Sequence, residues 1–157
     1  MKVLVADNLS ILGVDILKQE SGVDVDVNTG LPKEELIKII SSYDGLIVRS
    51  ATKVTSDVIE AATNLKVIGR AGIGVDNIDV AAAGKKGIIV MNTPEGNVIT
   101  TAEHAMALML SMSRNIPQAR SMLKDQKTWA PKKFMGKELH CKTLGIVGLG
   151  RIGTIVA

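Results

Sequence analysis

Five short apolar runs recur along this chain of 157 residues, spaced by about one strand plus one helix, and this alternation limits the fold more than any other feature. The runs are Val3–Ala6, Val23–Val27, Leu46–Val48, Val67–Ile68 and Ile88–Val90. Helical patterns fill the gaps. Ser10 is placed to cap a segment through Leu17, and Pro32 to take the first helical position before residues 34–40. Thr55 or Ser56 can open a helix through Ala62, and Asp79 one through Ala83, with Gly84 near its end. Such alternation predicts a parallel sheet with helices on both faces. Only 2% of residues are aromatic against 46% hydrophobic, so the core must be aliphatic, which suits buried parallel strands.

The pattern changes after Met91. Residues 92–97, Asn-Thr-Pro-Glu-Gly-Asn, form a turn cluster. Thr100 and Glu103 have capping-box spacing and predict a helix over Ala102–Ser113, apolar nearly all round and therefore buried. Pro117 marks a break or the first turn of another helix, and Lys124–Cys141 is polar and irregular. Thr143–Val147 reads as a buried strand feeding Gly148-Leu149-Gly150-Arg151-Ile152-Gly153, a dinucleotide-binding fingerprint in the strand–turn–helix setting it requires. Gly150 there lets the backbone approach a pyrophosphate, and Gly153 lets the helix pack closely. The acidic residue expected about 20 residues on falls beyond Ala157. The expected organisation is a first domain over 1–91, a hinge over 92–97, and the beginning of a nucleotide-binding domain over 98–157.

Composition excludes several classes. One cysteine, Cys141, rules out an intrachain disulfide and fits a reducing cytosol. The start Met1-Lys2-Val3-Leu4-Val5-Ala6-Asp7 is too short and too soon acidic for a signal peptide, and no apolar run reaches membrane-spanning length, so the expectation is a cytoplasmic protein without a membrane partner. From Arg114 to Arg151 there are nine basic and two acidic residues, against ten and fourteen in the rest of the chain. That stretch is either a solvated face or an attraction for an anionic small molecule. Nucleic acid is the weaker reading, since Trp129 and Phe134 are its only aromatics and it holds no binding motif.

Arg49 and Arg70 each follow an apolar run, at the carboxyl ends of expected parallel strands, where open α/β sheets place their ligands. A guanidinium there suits a carboxylate or phosphate, although each is equally readable as a surface arginine. The loop Ala71–Asn77 holds two glycines and either brings backbone N–H groups to an anion or makes an ordinary turn. His104, in an apolar helix, reads as structural. Cys141, between His140 and Lys142, gives little sign of thiolate chemistry. No carboxylate pair, zinc-spaced cluster or nucleophile elbow is visible, so no metal is expected.

Residues 46–52 (Leu-Ile-Val-Arg-Ser-Ala-Thr), 69–77 (Gly-Arg-Ala-Gly-Ile-Gly-Val-Asp-Asn), 92–97 and 142–153 together resemble the D-isomer-specific 2-hydroxyacid dehydrogenases, in the same order and across the whole chain. The resemblance implies a flavodoxin-like doubly wound domain followed by the start of a Rossmann NAD-binding domain. The Arg49–Thr52 run and Lys133-Phe134-Met135-Gly136 look most like members that oxidise 3-phospho-D-glycerate to 3-phosphonooxypyruvate with NAD, in L-serine biosynthesis. Glyoxylate or hydroxypyruvate reductases, and a non-catalytic NAD-sensing or partner-binding relative, are the alternatives.

By the same resemblance, Arg49, Ser50, Arg70 and Asn97 match substrate-binding positions for a phosphorylated 2-hydroxy acid. Ile73, Gly148, Gly150, Arg151, Ile152 and Gly153 match positions that contact NAD. The full-length protein is expected to be a homo-oligomer. The family's catalytic Arg, Glu and His would lie beyond Ala157, so the chain alone is expected to be inactive. Two positions depart from the family pattern: Cys141 stands where Gly is usual, and Pro131 where Arg or another polar residue is common.

Overall fold

The computed structural model describes residues 1–157, which divide into two compact units, Met1–Gly96 and Asn97–Ala157. In the first unit the strands are β1 (Lys2–Val5), β2 (Asp24–Val27), β3 (Gly45–Val48), β4 (Val67–Arg70) and β5 (Ile89–Asn92). All pairings are parallel and the sheet order is β2-β1-β3-β4-β5. The helices are α1 (Ile11–Gln19), α2 (Lys33–Ile39), α3 (Ser56–Ala61) and α4 (Val80–Lys85), with a 3₁₀ turn over Ile40–Ser42. Each expected strand and helix of this unit is present.

Strand alternation decides which face is which. Leu4, Leu46, Val48 and Ile68 point to one face, where they pack with Leu36 and Ile40, with Val58 and Ile59 of α3, and with Ala83 of α4. On the other face Val3 and Val5 are buried, whereas Ile89 and Met91 are more than half exposed beside an apolar groove lined by Val3, Leu17, Ile47, Val67 and Met91. The helix starts follow their caps only in part. Asp79 accepts from Ala82 N–H at 2.9 Å, whereas Ser10, Pro32 and Thr55 occupy N-cap positions without side-chain caps. Pro32 thus precedes α2 instead of opening it. Lys86 closes the far end of α3 by donating from Nζ to the carbonyls of Ile59 and Glu60, both at 2.7 Å.

One charged residue is buried with the core. Asp7 follows β1, is 4% exposed, and accepts from Arg49 N–H at 2.6 Å and from Thr52 Oγ1 at 2.7 Å and N–H at 3.1 Å. Burial pushes its carboxyl up, but the donors of Thr52 and Arg49 outweigh this and hold it below its ordinary value.

The second unit holds α5 (Val98–Ser113), α6 (Ile116–Asp125), a 3₁₀ turn over Pro131–Phe134, and α7 (Arg151–Val156). Three expectations fail here. Helix α5 begins before the capping box: Asn97 is its N-cap, and the Asn97 carbonyl accepts both N–H and Oγ1 of Thr101, so Thr100 lies inside the helix. That helix buries only Val98 and Ala102, while Leu108 and Met112 stay exposed, because within its unit α6 and α7 alone pack along it. Thr143–Val147 is not a strand, and Val147 is fully exposed. A strand exists only through hydrogen bonds to a neighbour, and none pairs with this segment. Pro117 sits in the first turn of α6, after Asn115 in the left-handed region, so it marks both a break and a start. Cys141 also has a positive φ of 58°, a conformation that glycine adopts more readily than a residue with a side chain. No helix is long and apolar enough to cross a membrane.

Asp7→Asn should destabilise the first unit by about 1–3 kcal/mol at neutral pH, because an amide cannot accept from all three donors. The folded Asp7 binds its proton more weakly than the unfolded one. Its contribution is therefore full above an unfolded value of about 3.9 and lost as pH falls below it. Thermal melts of parent and variant should thus converge in acid, and a gap constant from pH 7 to pH 2 would contradict the assignment. Hydrogen exchange should find amides 144–149 unprotected, since none donates to a protein acceptor. Slow exchange there would mean that the strand forms after all.

Candidate functional site

The strand order reverses between β1 and β3, and open α/β sheets bind ligands outside the carboxyl ends of their strands at such a point. The loops leaving β1 and β3 part there. Asp7 lies near the start of one and Arg49 begins the other.

Arg49 has a fixed main chain and a free side chain. Its N–H is held by Asp7 at 2.6 Å, and its carbonyl accepts from Asn77 Nδ2 at 2.7 Å and Arg70 Nε at 3.4 Å. Asn77 Nδ2 also donates to Thr52 O at 2.6 Å, and Val54 and Ile78 form a parallel bridge. The loops after β3 and β4 are therefore joined. The Arg49 side chain is exposed and spends one donor, from Nη1 to Asn8 O at 3.1 Å. Its remaining fork is available to a carboxylate or phosphate. Ser50 lies beside it, exposed, with its hydroxyl bonded to no protein group.

Arg70 is the opposite case. Its side chain is only 10% exposed, with Nε on Arg49 O, Nη1 on Gly74 O and Nη2 3.5 Å from Asp76 Oδ1. Asn92, at the end of β5, donates from Nδ2 to Ile73 O at 2.6 Å, and Thr93 N–H donates to Gly72 O at 3.0 Å. Three successive carbonyls of the loop after β4 are thereby taken. The N–H groups of Ile73, Gly74 and Val75 have no protein acceptor, which suits the anion-binding reading of the loop. The first unit therefore brings together Arg49, Ser50, Arg70 and Ile73. Asn77 and Asn92 escape a sequence reading that sees a helix cap and a turn residue, because their partners lie 19 to 28 residues away.

In the second unit Asn97 is exposed, and its carbonyl anchors the first turn of α5. The glycine turn keeps its form although the strand before it is absent. Gly148 has a φ of +99°, and Gly150 is the N-cap of α7, whose Thr154 N–H donates to Gly150 O at 2.9 Å. A Cβ on Gly153 would collide with the Gly148 carbonyl, whereas space beside Gly148 and Gly150 is open. A turn that closes tightly on itself and stays bare outside is what close approach of a pyrophosphate requires, so these residues fit a dinucleotide. Arg151 is exposed in the first turn of α7, with Ile152 half-buried next to it. Helix α7 is only six residues long and packs along α5. His104 and Cys141 are exposed and join neither cluster. Pro131 opens the 3₁₀ turn beside a hollow lined by Arg114, Arg120 and Trp129.

Residues 3–149 match the family described as D-isomer specific 2-hydroxyacid dehydrogenase, catalytic domain. The chain is 54% identical over 156 residues to D-3-phosphoglycerate dehydrogenase of Synechocystis sp., an alignment covering 99% of this chain and 28% of that protein. It thus spans under a third of that relative's length. Among solved structures, TT0316 protein from Thermus thermophilus superposes with a TM-score of 0.90 at 36% identity, over 99% of this chain and 51% of its own. The NAD+-bound 3-phosphoglycerate dehydrogenase of Entamoeba histolytica superposes at 0.77 with 33% identity, over 99% and 49% of the two chains. With a match over 3–149 and a sheet ordered β2-β1-β3-β4-β5, the chain belongs to the D-isomer specific 2-hydroxyacid dehydrogenase family.

Proposed function

We propose that this chain is the N-terminal part of a cytoplasmic, homo-oligomeric enzyme that oxidises 3-phospho-D-glycerate to 3-phosphonooxypyruvate with NAD, in L-serine biosynthesis. Residues 1–91 would be its substrate domain, 92–97 a hinge, and 98–157 the beginning of its NAD-binding domain. The observation that carries the reading is Arg49: a guanidinium with free donors on a backbone fixed at both its N–H and its carbonyl, at the sheet's switch point. Such a group is ready for a phosphate without reorganising, which favours a phosphorylated 2-hydroxy acid over glyoxylate or hydroxypyruvate. Identity of 54–56% to proteins named D-3-phosphoglycerate dehydrogenase supports the same substrate.

Arg49 and Ser50 would hold the phosphorylated end of the substrate, with Asn97 near the reacting carbon. Gly148, Gly150, Arg151, Ile152 and Gly153 would hold the cofactor pyrophosphate, and Ile73 would face its nicotinamide end. NAD, when bound, accepts the hydride. The hydroxyl proton needs a base and the forming carbonyl a cation, roles that the family assigns to an Arg, a Glu and a His outside the matched positions of this chain.

In the full-length protein, Arg49→Ala should raise KM for 3-phosphoglycerate by about 10- to 100-fold, the loss of a charge-assisted hydrogen bond. KM for an unphosphorylated 2-hydroxy acid should change much less, and equal losses would remove Arg49 from the phosphate and favour the reductase reading. Calorimetry on the same protein should find NAD bound more tightly than NADP. The reverse order would overturn the cofactor assignment.

A further inference from the structure

Arg70 stands at the carboxyl edge of the sheet beside Arg49, yet its guanidinium is spent inside the protein. Nε reaches the Arg49 carbonyl, Nη1 the Gly74 carbonyl, and Nη2 the Asp76 carboxylate. The group lies against two glycines. A Cβ on Gly74 would come within 3.1 Å of Nη1 and 2.8 Å of Asp76 Oδ1, and one on Gly72 within 3.4 Å of Nη1. From the β5 side, Asn92 and Thr93 take the neighbouring carbonyls of Ile73 and Gly72. The loop is thus clamped from two strands through its carbonyls. The clamp also reaches Arg49, whose carbonyl is shared by Arg70 and Asn77.

We propose that Arg70, together with Asn92, is a positioning residue: it sets the shape of the Gly72–Gly74 loop and the placement of Arg49, and is not itself a ligand of the substrate. Its kinetic consequences rest on the dehydrogenase reading, while its effect on the loop does not. A guanidinium that is nine-tenths buried with all three nitrogens facing protein acceptors would have to break those contacts to reach a ligand. The nearby Arg49 has donors to spare.

The test uses the full-length protein with Arg70→Lys, Asn92→Asp and Arg49→Ala. A lysine keeps the charge, but its single ammonium nitrogen cannot stand where the guanidinium's three separate nitrogens do, and an aspartate at 92 keeps the shape but cannot donate to Ile73 O. The first readout is hydrogen exchange without any ligand, at Gly72, Ile78 and Thr93, whose amide bonds to Arg70 O, Val75 O and Gly72 O hold only while the loop is closed. Arg70→Lys and Asn92→Asp should each speed exchange there by about tenfold or more, the loss of one hydrogen bond, and Arg49→Ala should leave it unchanged. Unchanged exchange in Arg70→Lys would overturn the proposal. Where Arg70→Lys fails to fold, Gly74→Ala keeps the arginine but crowds it, and the same readout decides.

The second readout is turnover. Arg70→Lys and Asn92→Asp should each lower kcat/KM by about tenfold for phosphorylated and unphosphorylated 2-hydroxy acids alike. The double variant should lose little more than the worse single one, since both act on one loop. A loss confined to the phosphorylated substrate would make Arg70 a phosphate ligand. A lower Tm with kcat/KM intact would make it merely structural, and either result refutes the proposal. If the parent protein turns over no 2-hydroxy acid, the dehydrogenase reading fails, and ligand-free exchange still decides the role of Arg70.

Discussion

The site depends on one buried carboxylate. Asp7 sits at the end of β1, where the strand order reverses, and takes three hydrogen bonds from the loop that leaves β3. A buried charge is tolerated only with donors around it, and here the donors are backbone and hydroxyl groups of the segment that must be shaped. The carboxylate therefore acts as a template. It turns the Arg49 peptide inward and leaves the Arg49 side chain outside. From Arg49 the order spreads through its carbonyl to Asn77 and Arg70, and through Arg70 to Gly74. The chain of contacts crosses three loops, with Arg70 at the end of β4 as its one member in a strand.

This explains why two arginines in similar sequence contexts do different things. Both stand after an apolar run at the carboxyl end of a strand, so spacing assigns them the same role. The difference comes from the residues on the C-terminal side of each. Beyond Arg70 lie two glycines, whose missing side chains leave room for the guanidinium to fold back on its own loop. Beyond Arg49 lie Ser50, Ala51 and Thr52, and Thr52 is bound to Asp7, so the loop leads away and the guanidinium stays outside. A strand-end arginine with a Gly-x-Gly run close behind it is thus as readable as a brace as it is as a ligand.

The legible part of the sequence divides along the same line. All five strands of the first unit and their helices can be read from period, with a side-chain cap made only at Asp79, because each element is specified by its own residues and by burial against a continuous aliphatic core. The contacts that build the site join residues 19 to 45 positions apart, through side-chain amides and a carboxylate that look like turn and cap residues when read locally. Thr100 illustrates the limit from the other side: its spacing to Glu103 is right for a capping box, but the Asn97 carbonyl starts the helix a turn earlier. Where two local signals compete, the winner is set by which backbone groups are left to satisfy, and a motif does not contain that information.

The glycine fingerprint separates two kinds of structural information usually met together. Its turn is local: Gly148 takes a left-handed φ, Gly153 has no room for a side chain, and Thr154 closes on Gly150 and Leu149. These features arise within seven residues and are present. The strand before it is non-local, because every hydrogen bond of a strand belongs equally to its neighbour. Thr143–Val147 is β-branched and apolar, yet all of it but the half-buried Ile146 stays exposed, with no strand paired to it. Propensity alone does not make a strand, whereas a glycine turn needs little beyond its own sequence. The bare glycine turn therefore forms without a sheet beside it. What holds the turn here is α7, which closes on Gly150 and packs along α5, and not a paired strand.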